Sequence, residues 1–392
     1  MKNLSCYAAM LLSVASCGAI EKTGTPDLQP DNAPAELSLP GLARMFAELP
    51  LEPEHLREVY DAVGNSSGNG FDEEYTMSCI LENPGAGVGD DRLPAGTKAP
   101  GGYGNPLRNL IRDYLSGRPS TRSSVESLMD ALAQSDYQLY WPYSEDWDGV
   151  TYPIITFDPG YGAESNYGFE LSVEGGELRV KDSVYVDEAV AMRRPVWVLN
   201  SNSDAAFTPM ELFEKVSGHS YAAAAPEPGG ISPAARPRKL TVKTFKMLRN
   251  YDTWFCGASE FWIKCGSVEG FTASTEAELK LYSPSITEFI IVVQRRYVGK
   301  ELPFEAILVS DFSTQLDKLA FLITEDDGGT RTSWKCEATV KIQSKSYGFT
   351  IDLPMNIKDD IVWRGQLSAR FFEEEDIVTG RFGDVVISFE LD

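Results

Sequence analysis

Trp334-Lys-Cys336-Glu-Ala338-Thr-Val340-Lys-Ile342-Gln343 is the stretch whose reading decides the fold. Apolar and polar residues alternate one for one, the period of a β-strand with one buried face and one wet face. Phe261, Ile263 and Cys265 alternate in the same way, as do Val385, Ile387, Phe389 and Leu391. Glu288-Phe-Ile-Ile-Val-Val-Gln294 is apolar on both faces, so it reads as a central strand. Ala277 to Tyr282, Phe304 to Ser310 and Lys318 to Thr324 add further short runs between turn residues. About eight or nine strands at this spacing predict an antiparallel β-sandwich over 239–392.

Toward the N-terminus the pattern changes twice. Residues 217–238, with Ala222 to Ala225 and repeated proline, read as a linker. Residues 136–216 form a middle α+β segment with strand-like runs at Pro153 to Phe157, Gly168 to Val173, Glu177 to Val180 and Pro195 to Leu199, and a helix at Pro209 to Val216. Over 39–135 the apolar spacing is helical. Leu42, Met45, Phe46 and Leu49 share a face, then Leu56, Val59, Tyr60 and Val63, then Leu107, Leu110, Ile111 and Leu115, then Val125, Leu128, Met129 and Leu132. The class is therefore α+β and mostly β: a small helical N-terminal domain, a middle segment and a sandwich.

The chain has 392 residues, 43% hydrophobic and 24% charged, which excludes wholesale disorder. Its formal net charge of −23 opposes nucleic acid as a partner. Two histidines, His55 and His219, exclude multi-histidine metal sites. Gly85-Ala-Gly87-Val-Gly89 lacks the Gly-Lys-Ser/Thr ending of a phosphate loop, so no nucleotide is expected. Gly218-His219-Ser220-Tyr221-Ala222 leads into the linker with no histidine after it, so it is not the elbow of a serine hydrolase.

Lys2, the apolar run Tyr7 to Leu12 and the small residues before Cys17 have the layout of a secretory signal. Val14-Ala15-Ser16-Cys17 resembles the lipobox of bacterial lipoproteins. The resemblance implies a signal peptide over 1–16, lipid on Cys17, a flexible stalk over 17–38, and a place in the cell envelope as an outer-membrane lipoprotein. The membrane partner would then be reached through the lipid anchor alone, since no later stretch approaches the roughly 18 apolar residues of a spanning helix.

Several residue sets could carry chemistry. Asn200, Asn202, Asp204, Thr208 and Glu211 have the oxygen-ligand spacing of an EF-hand loop, but Ala205 stands where the turn wants Gly, and a helix cap at Thr208 with Glu211 explains the same residues. A near match at Ser144 to Gly149 fails, because Ile155 stands at its twelfth position. Glu325, Asp326 and Asp327 cluster at a strand end, and with Asp252 and Glu260 they are candidates for calcium or for acid and base work on sugars. Tyr140, Trp141, Tyr143 and Trp147 crowd a segment that also holds Glu145, Asp146 and Asp148, a composition suited to sugar rings or to sealing the helices onto a sheet. Cys256, Cys265 and Cys336 could supply a disulfide, with Cys265 and Cys336 on inward rows.

Two segments resemble an uncharacterised family of bacterial secreted proteins known only as a domain of unknown function. One is Tyr140 to Asp204, with Ile154-Ile-Thr-Phe157 and Arg194-Pro-Val-Trp-Val-Leu199; the other is Asp252-Thr-Trp254-Phe-Cys-Gly257-Ala-Ser-Glu260-Phe. An acidic turn like Glu325 to Gly329 has a counterpart there. The resemblance implies no activity, and no catalytic residue is assigned. The lipobox with an acidic sandwich also resembles the cell-envelope lipoproteins of gut Bacteroidota. The expectation is a lipid-anchored module that binds glycan or protein. The alternatives are a calcium-dependent hydrolase of extracellular polymer using Glu260, Asp326 and Asp327, and a purely structural envelope component.

Overall fold

A computed structural model describes residues 38–81, 106–117, 122–201 and 237–392. Cys17, the signal and stalk, the loop at 83–105, Asn202, Asp204, Glu211, the helix expected at 209–216 and nearly all of the 217–238 linker lie outside the described residues.

Helix α1 (Leu39–Glu48) starts where the Ser38 hydroxyl accepts from the Gly41 N–H at 3.3 Å, with Pro40 in the first turn. Helix α2 (Pro53–Gly68) opens on a capping box in which the Glu52 N–H donates to His55 Nδ1 at 2.9 Å. Strand β1 (Glu74–Thr76) and the short α3 (Met77–Leu81) follow, then α4 (Pro106–Ser116) and α5 (Arg122–Ala133). Buried Glu58 of α2 accepts from the Leu107 N–H at 2.8 Å, satisfying a donor that the start of α4 would otherwise leave open.

Next come β2 (Tyr137–Tyr140), β3 (Ile154–Phe157), β4 (Ser165–Glu174), β5 (Glu177–Asp187), the short α6 (Glu188–Ala191) and β6 (Val196–Ser201). The first sheet runs β1-β2-β6-β3-β4-β5, with β3 and β6 parallel and the other pairs antiparallel. Leu42 and Phe46 of α1, Val59 of α2, Ile111 of α4 and Met129 of α5 pack with Leu139, Ile155, Trp197 and Leu199 in one buried cluster. The helical region and the middle segment, expected as separate units, thus share both a sheet and a core. The helical stripes stand where the spacing put them, but β1 pairs across the expected boundary.

The second half contains β7 (Leu240–Met247), β8 (Ser259–Ser267), β9 (Ser285–Val293), β10 (Leu302–Val309) and β11 (Leu316–Glu325). It continues with β12 (Arg331–Ile342), β13 (Lys345–Asn356), β14 (Asp360–Ser368), β15 (Ile377–Phe382) and β16 (Val385–Leu391). One sheet runs β10-β7-β16-β15; the other runs β13-β12-β11-β8-β9, with β14 also paired to β11, and all pairs are antiparallel. Phe245, Ile387 and Phe389 from the first meet Phe261, Ile263, Phe321 and Ile323 from the second in a single core, the sandwich expected from the alternation.

Three expectations fail on local physics. The run at 288–294, expected at the sheet centre, forms the edge strand β9. Its inner, half-buried Phe289 stacks on Phe304 at 5.6 Å, while outer Ile290 sits opposite Trp262 and is buried, so both faces are apolar although β8 alone pairs with it among the described residues. Ala277 to Tyr282, expected as a strand, lies mostly in a 3-10 helix over Glu276–Leu281. Cys79, Cys256, Cys265 and Cys336 are free thiols, so the expected disulfide is not formed. Cys265 faces the sandwich core, Cys336 contacts the Ile351 carbonyl at 3.5 Å, and Cys256 lies in the loop before β8.

That loop joins the halves. Trp254 and Phe255, both fully buried, pack with Tyr140, Ile154, Val186, Val196 and Val198 on the face of the first sheet opposite the helices. Burial of each ring contributes about 2–3 kcal/mol to the docking. The Trp254 indole donates to the Glu164 carbonyl at 3.0 Å, and the Asn200 amide donates to the Phe255 carbonyl at 2.8 Å. Among the described residues, no helix is long and apolar enough to cross a membrane.

Candidate functional site

The loop before β8 and the end of β11 build the densest acidic group. Antiparallel pairing sets Glu325, the last residue of β11, opposite Phe261 on one side and Asp360 on the other, so its side chain follows Phe261 toward the inner face. Asp252 approaches from the loop and Asp327 from the turn that follows. One carboxylate oxygen from each of Asp252, Glu325 and Asp327 lies within 4.8 Å of the other two. Glu325 is 1% exposed, and its Oε1 has no hydrogen-bond partner among the described residues. Burial, then the Asp252 charge and a hydrogen bond to it, push the Glu325 carboxyl well above the usual carboxylate range. Glu325 therefore carries the proton of this pair at neutral pH.

Asp326 is part of a different constellation. One of its oxygens accepts from the Trp262 indole at 3.1 Å, the other from Asn356 Nδ2 at 3.1 Å and the Gly328 N–H at 3.0 Å. Alternation along β8 sets Glu260 on the face of Trp262 and Lys264, opposite Phe261, and its carbonyl accepts from the Asp326 N–H at 2.9 Å. Asp252 and Asp327 thus join Glu325, whereas Asp326 and Glu260 do not. Asn200 belongs to β6, opposite Gln138, and brackets the interdomain loop with its amide. An EF-hand loop leaves a helix, so the calcium reading that began at Asn200 has the wrong local structure.

Of the aromatic candidates, Tyr140 and Trp141 are each 1% exposed and belong to the core. Tyr143 and Trp147 are half-buried, and with Trp141 they line a cleft of about 280 Å³ against Met192, Arg193 and Arg194. Trp147 is held at 5.3 Å from both Tyr60 and Trp141, and its indole donates to the Thr151 carbonyl at 2.8 Å. Asp148 accepts from the Val150 and Thr151 N–H groups and from the Thr151 hydroxyl, which fixes the turn at the cleft rim. Arg194 donates to Glu170 at 2.7 Å. Exposed Asp146 and Arg193 make no ion pair among the described residues.

Sequence reasoning missed the acids and arginines between the halves. Asp72, Glu73 and Glu74 are all buried, although such a run reads from sequence as solvated. Burial, then the Glu74 charge, raises Asp72 to about 7, while its Oδ2 accepts from the Ala258 N–H at 3.0 Å. Glu73 is raised well above its ordinary value by burial and by the charges of Asp72 and Glu145, with Arg296 opposing. Arg295 donates to both Glu188 oxygens, at 2.7 and 3.3 Å, and to the Asp252 carbonyl at 2.9 Å. Burial alone would raise Glu188, but the hydrogen bonds and charge of Arg295 hold it below the usual range. Arg296 pairs with Glu145 beside a second hollow of about 440 Å³ that Tyr60, Asp61 and Glu73 also line. The adjacency of Asp72-Glu73-Glu74 to Tyr75, and of Arg295-Arg296 to the apolar β9, was the available signal. No family model, curated protein or solved structure matches the chain.

Proposed function

We propose that this is a lipid-anchored cell-envelope protein that binds glycan in the cleft between the Tyr143–Thr151 segment and Met192–Arg194. The observation that carries the reading is the cleft itself. Half-buried Tyr143 and Trp147 offer ring surface beside two exposed, oppositely charged side chains, Asp146 and Arg193. A sugar presents apolar C–H faces to an aromatic ring and hydroxyls to charged groups, so this chemistry suits it. With a volume of about 280 Å³ the cleft accommodates a terminal sugar rather than an extended chain. Trp147 is braced by Tyr60 and Trp141, so little ordering entropy is lost when a ligand stacks on it. Val14-Ala15-Ser16-Cys17 supports the lipid anchor, and with it an envelope location and a membrane partner reached through lipid.

A glycan array that includes neutral and uronic-acid sugars, followed by titration calorimetry of the hits, tests the binding. Trp147→Ala should abolish it, and Arg193→Ala, an exposed change that leaves the packing intact, should weaken it at least about fivefold. Absence of any hit, or hits that both variants retain at full affinity, rejects this site. Mass spectrometry of the membrane fraction tests the anchor: unmodified Cys17 in the purified protein removes it.

A further inference from the structure

We propose that Asp252, Glu325 and Asp327 form a divalent-cation site, with calcium as the ion, at the seam between the sandwich and the loop that carries the first sheet. The site is independent of the glycan cleft and rests on different residues. Two observations carry it. Ligand oxygens from three carboxylates, two of them at the end of β11 and the third more than seventy positions earlier in the loop before β8, lie within 4.8 Å of one another. Within that group Glu325, 1% exposed, keeps a buried oxygen, Oε1, with no hydrogen-bond partner among the described residues.

A buried acceptor without a donor is a cost that folded proteins seldom leave in place, and a cation satisfies it directly. All three ligands are carboxylate oxygens, with no sulfur or imidazole, which selects a hard ion. Calcium tolerates the mixed geometry of one strand-end Glu and two loop Asp residues, whereas magnesium demands near-octahedral order. The ion would tie the loop before β8 to the turn after β11. Asp252 is held at that position from behind, through its carbonyl, by Arg295.

The experiment uses the full chain, stripped with chelator and titrated with calcium by calorimetry, and with terbium by tryptophan-sensitised luminescence. Expected is one ion per chain with a Kd between about 10 μM and 1 mM, from the weak limit of sensor sites to that of extracellular ones. At calcium about a hundredfold above Kd the unfolding temperature should rise by about 5 °C. Glu325→Gln, which keeps the size and shape of the side chain and removes its charge, should lose both responses while folding normally. Asp327→Asn, at a half-buried position, provides a second test. No saturable binding up to about 10 mM calcium overturns the proposal, as does a response that both variants keep undiminished. Binding of magnesium in preference to calcium overturns the assignment of the ion.

Discussion

Replacing Asp72 by Asn should stabilise the protein, and by an amount that grows with pH. Asp72 is 5% exposed and accepts from the Ala258 N–H at 3.0 Å, so its carboxyl lies at the contact between the halves. Burial, then the Glu74 charge, raises it from 3.8 to about 7. The folded chain therefore holds a proton on Asp72 between those values while the unfolded chain has released it. Stability falls with rising pH wherever the native state binds more protons, so the cost begins near pH 4 and saturates above pH 7. At about 1.4 kcal/mol per pH unit, it is about 1.6 kcal/mol at pH 5 and about 4 kcal/mol at pH 8. Asn keeps an acceptor for Ala258 and never ionises, so Asp72→Asn should gain those amounts. Urea unfolding at pH 5 and pH 8, followed by the fluorescence of buried Trp141, Trp197 and Trp254, measures both. Subtracting parent from variant cancels the other titrating groups. A gain equal at the two pH values would show that Asp72 is hydrated in the folded state and would refute the reasoning.

The same contact makes Gly257 irreplaceable. Its φ is +116°, and a Cβ there would lie 2.2 Å from Asp72 Oδ2, so Gly257→Ala should cost about 2–3 kcal/mol in urea unfolding; a loss under about 0.5 kcal/mol would mean that the contact relaxes freely. Arg295→Ala should cost about 3 kcal/mol. Its side chain is 7% exposed and bridges Glu188 to the Asp252 carbonyl, while Glu188, at 29% exposure, places the loss at the low end for a broken buried pair. Arg295→Lys should recover less than half, because one ammonium cannot repeat the fork. Full recovery by Lys would show that charge alone matters there.

What the sequence disclosed divides along the line between periodic and non-periodic causes. Trp334 to Ile342 alternates because one face of β12 is dry, and the four helical stripes repeat because one side of each helix enters the core shared with the first sheet. Those patterns are local, so they can be read from neighbours alone. β9 was misplaced because an apolar second face has two origins, a central position in the sheet or a covering residue such as Trp262, and periodicity does not separate them. β1 was missed because its three residues, Glu74, Tyr75 and Thr76, are too few to show a period. The sequence offers Asp252, Glu325 and Asp327 together with Asp326 and Glu260 as acids that could meet, but separating the first three from the other two requires the register of β11 against β8. In a strand, adjacent residues point to opposite faces, so Glu325 and Asp326 could not both enter one site. Tyr140 and Trp141 likewise looked equivalent to Tyr143 and Trp147 until the end of β2 took the first two into the core.

Four of the acids between the halves follow one rule. Glu188 meets Arg295, Glu73 and Glu145 meet Arg296, and Asp72 meets the Ala258 N–H. Each of these four is answered by a cation or a donor carried on the opposite half, so the charges act as a register for docking as well as a source of stability. Glu325 differs: the charged groups around it are the acids Asp252, Asp327 and Asp360, and burial with their charge raises its carboxyl well above the usual range. A proton is the smallest counter-charge that can fill this place, and it leaves Oε1 unsatisfied. An ion reaching all three carboxylates would answer both deficits at once, and it would do so on the loop that already carries Trp254, Phe255 and Gly257 into the first sheet. The junction and the acidic group are therefore a single construction, in which the geometry of the loop before β8 sets how the halves meet and which carboxylates face one another.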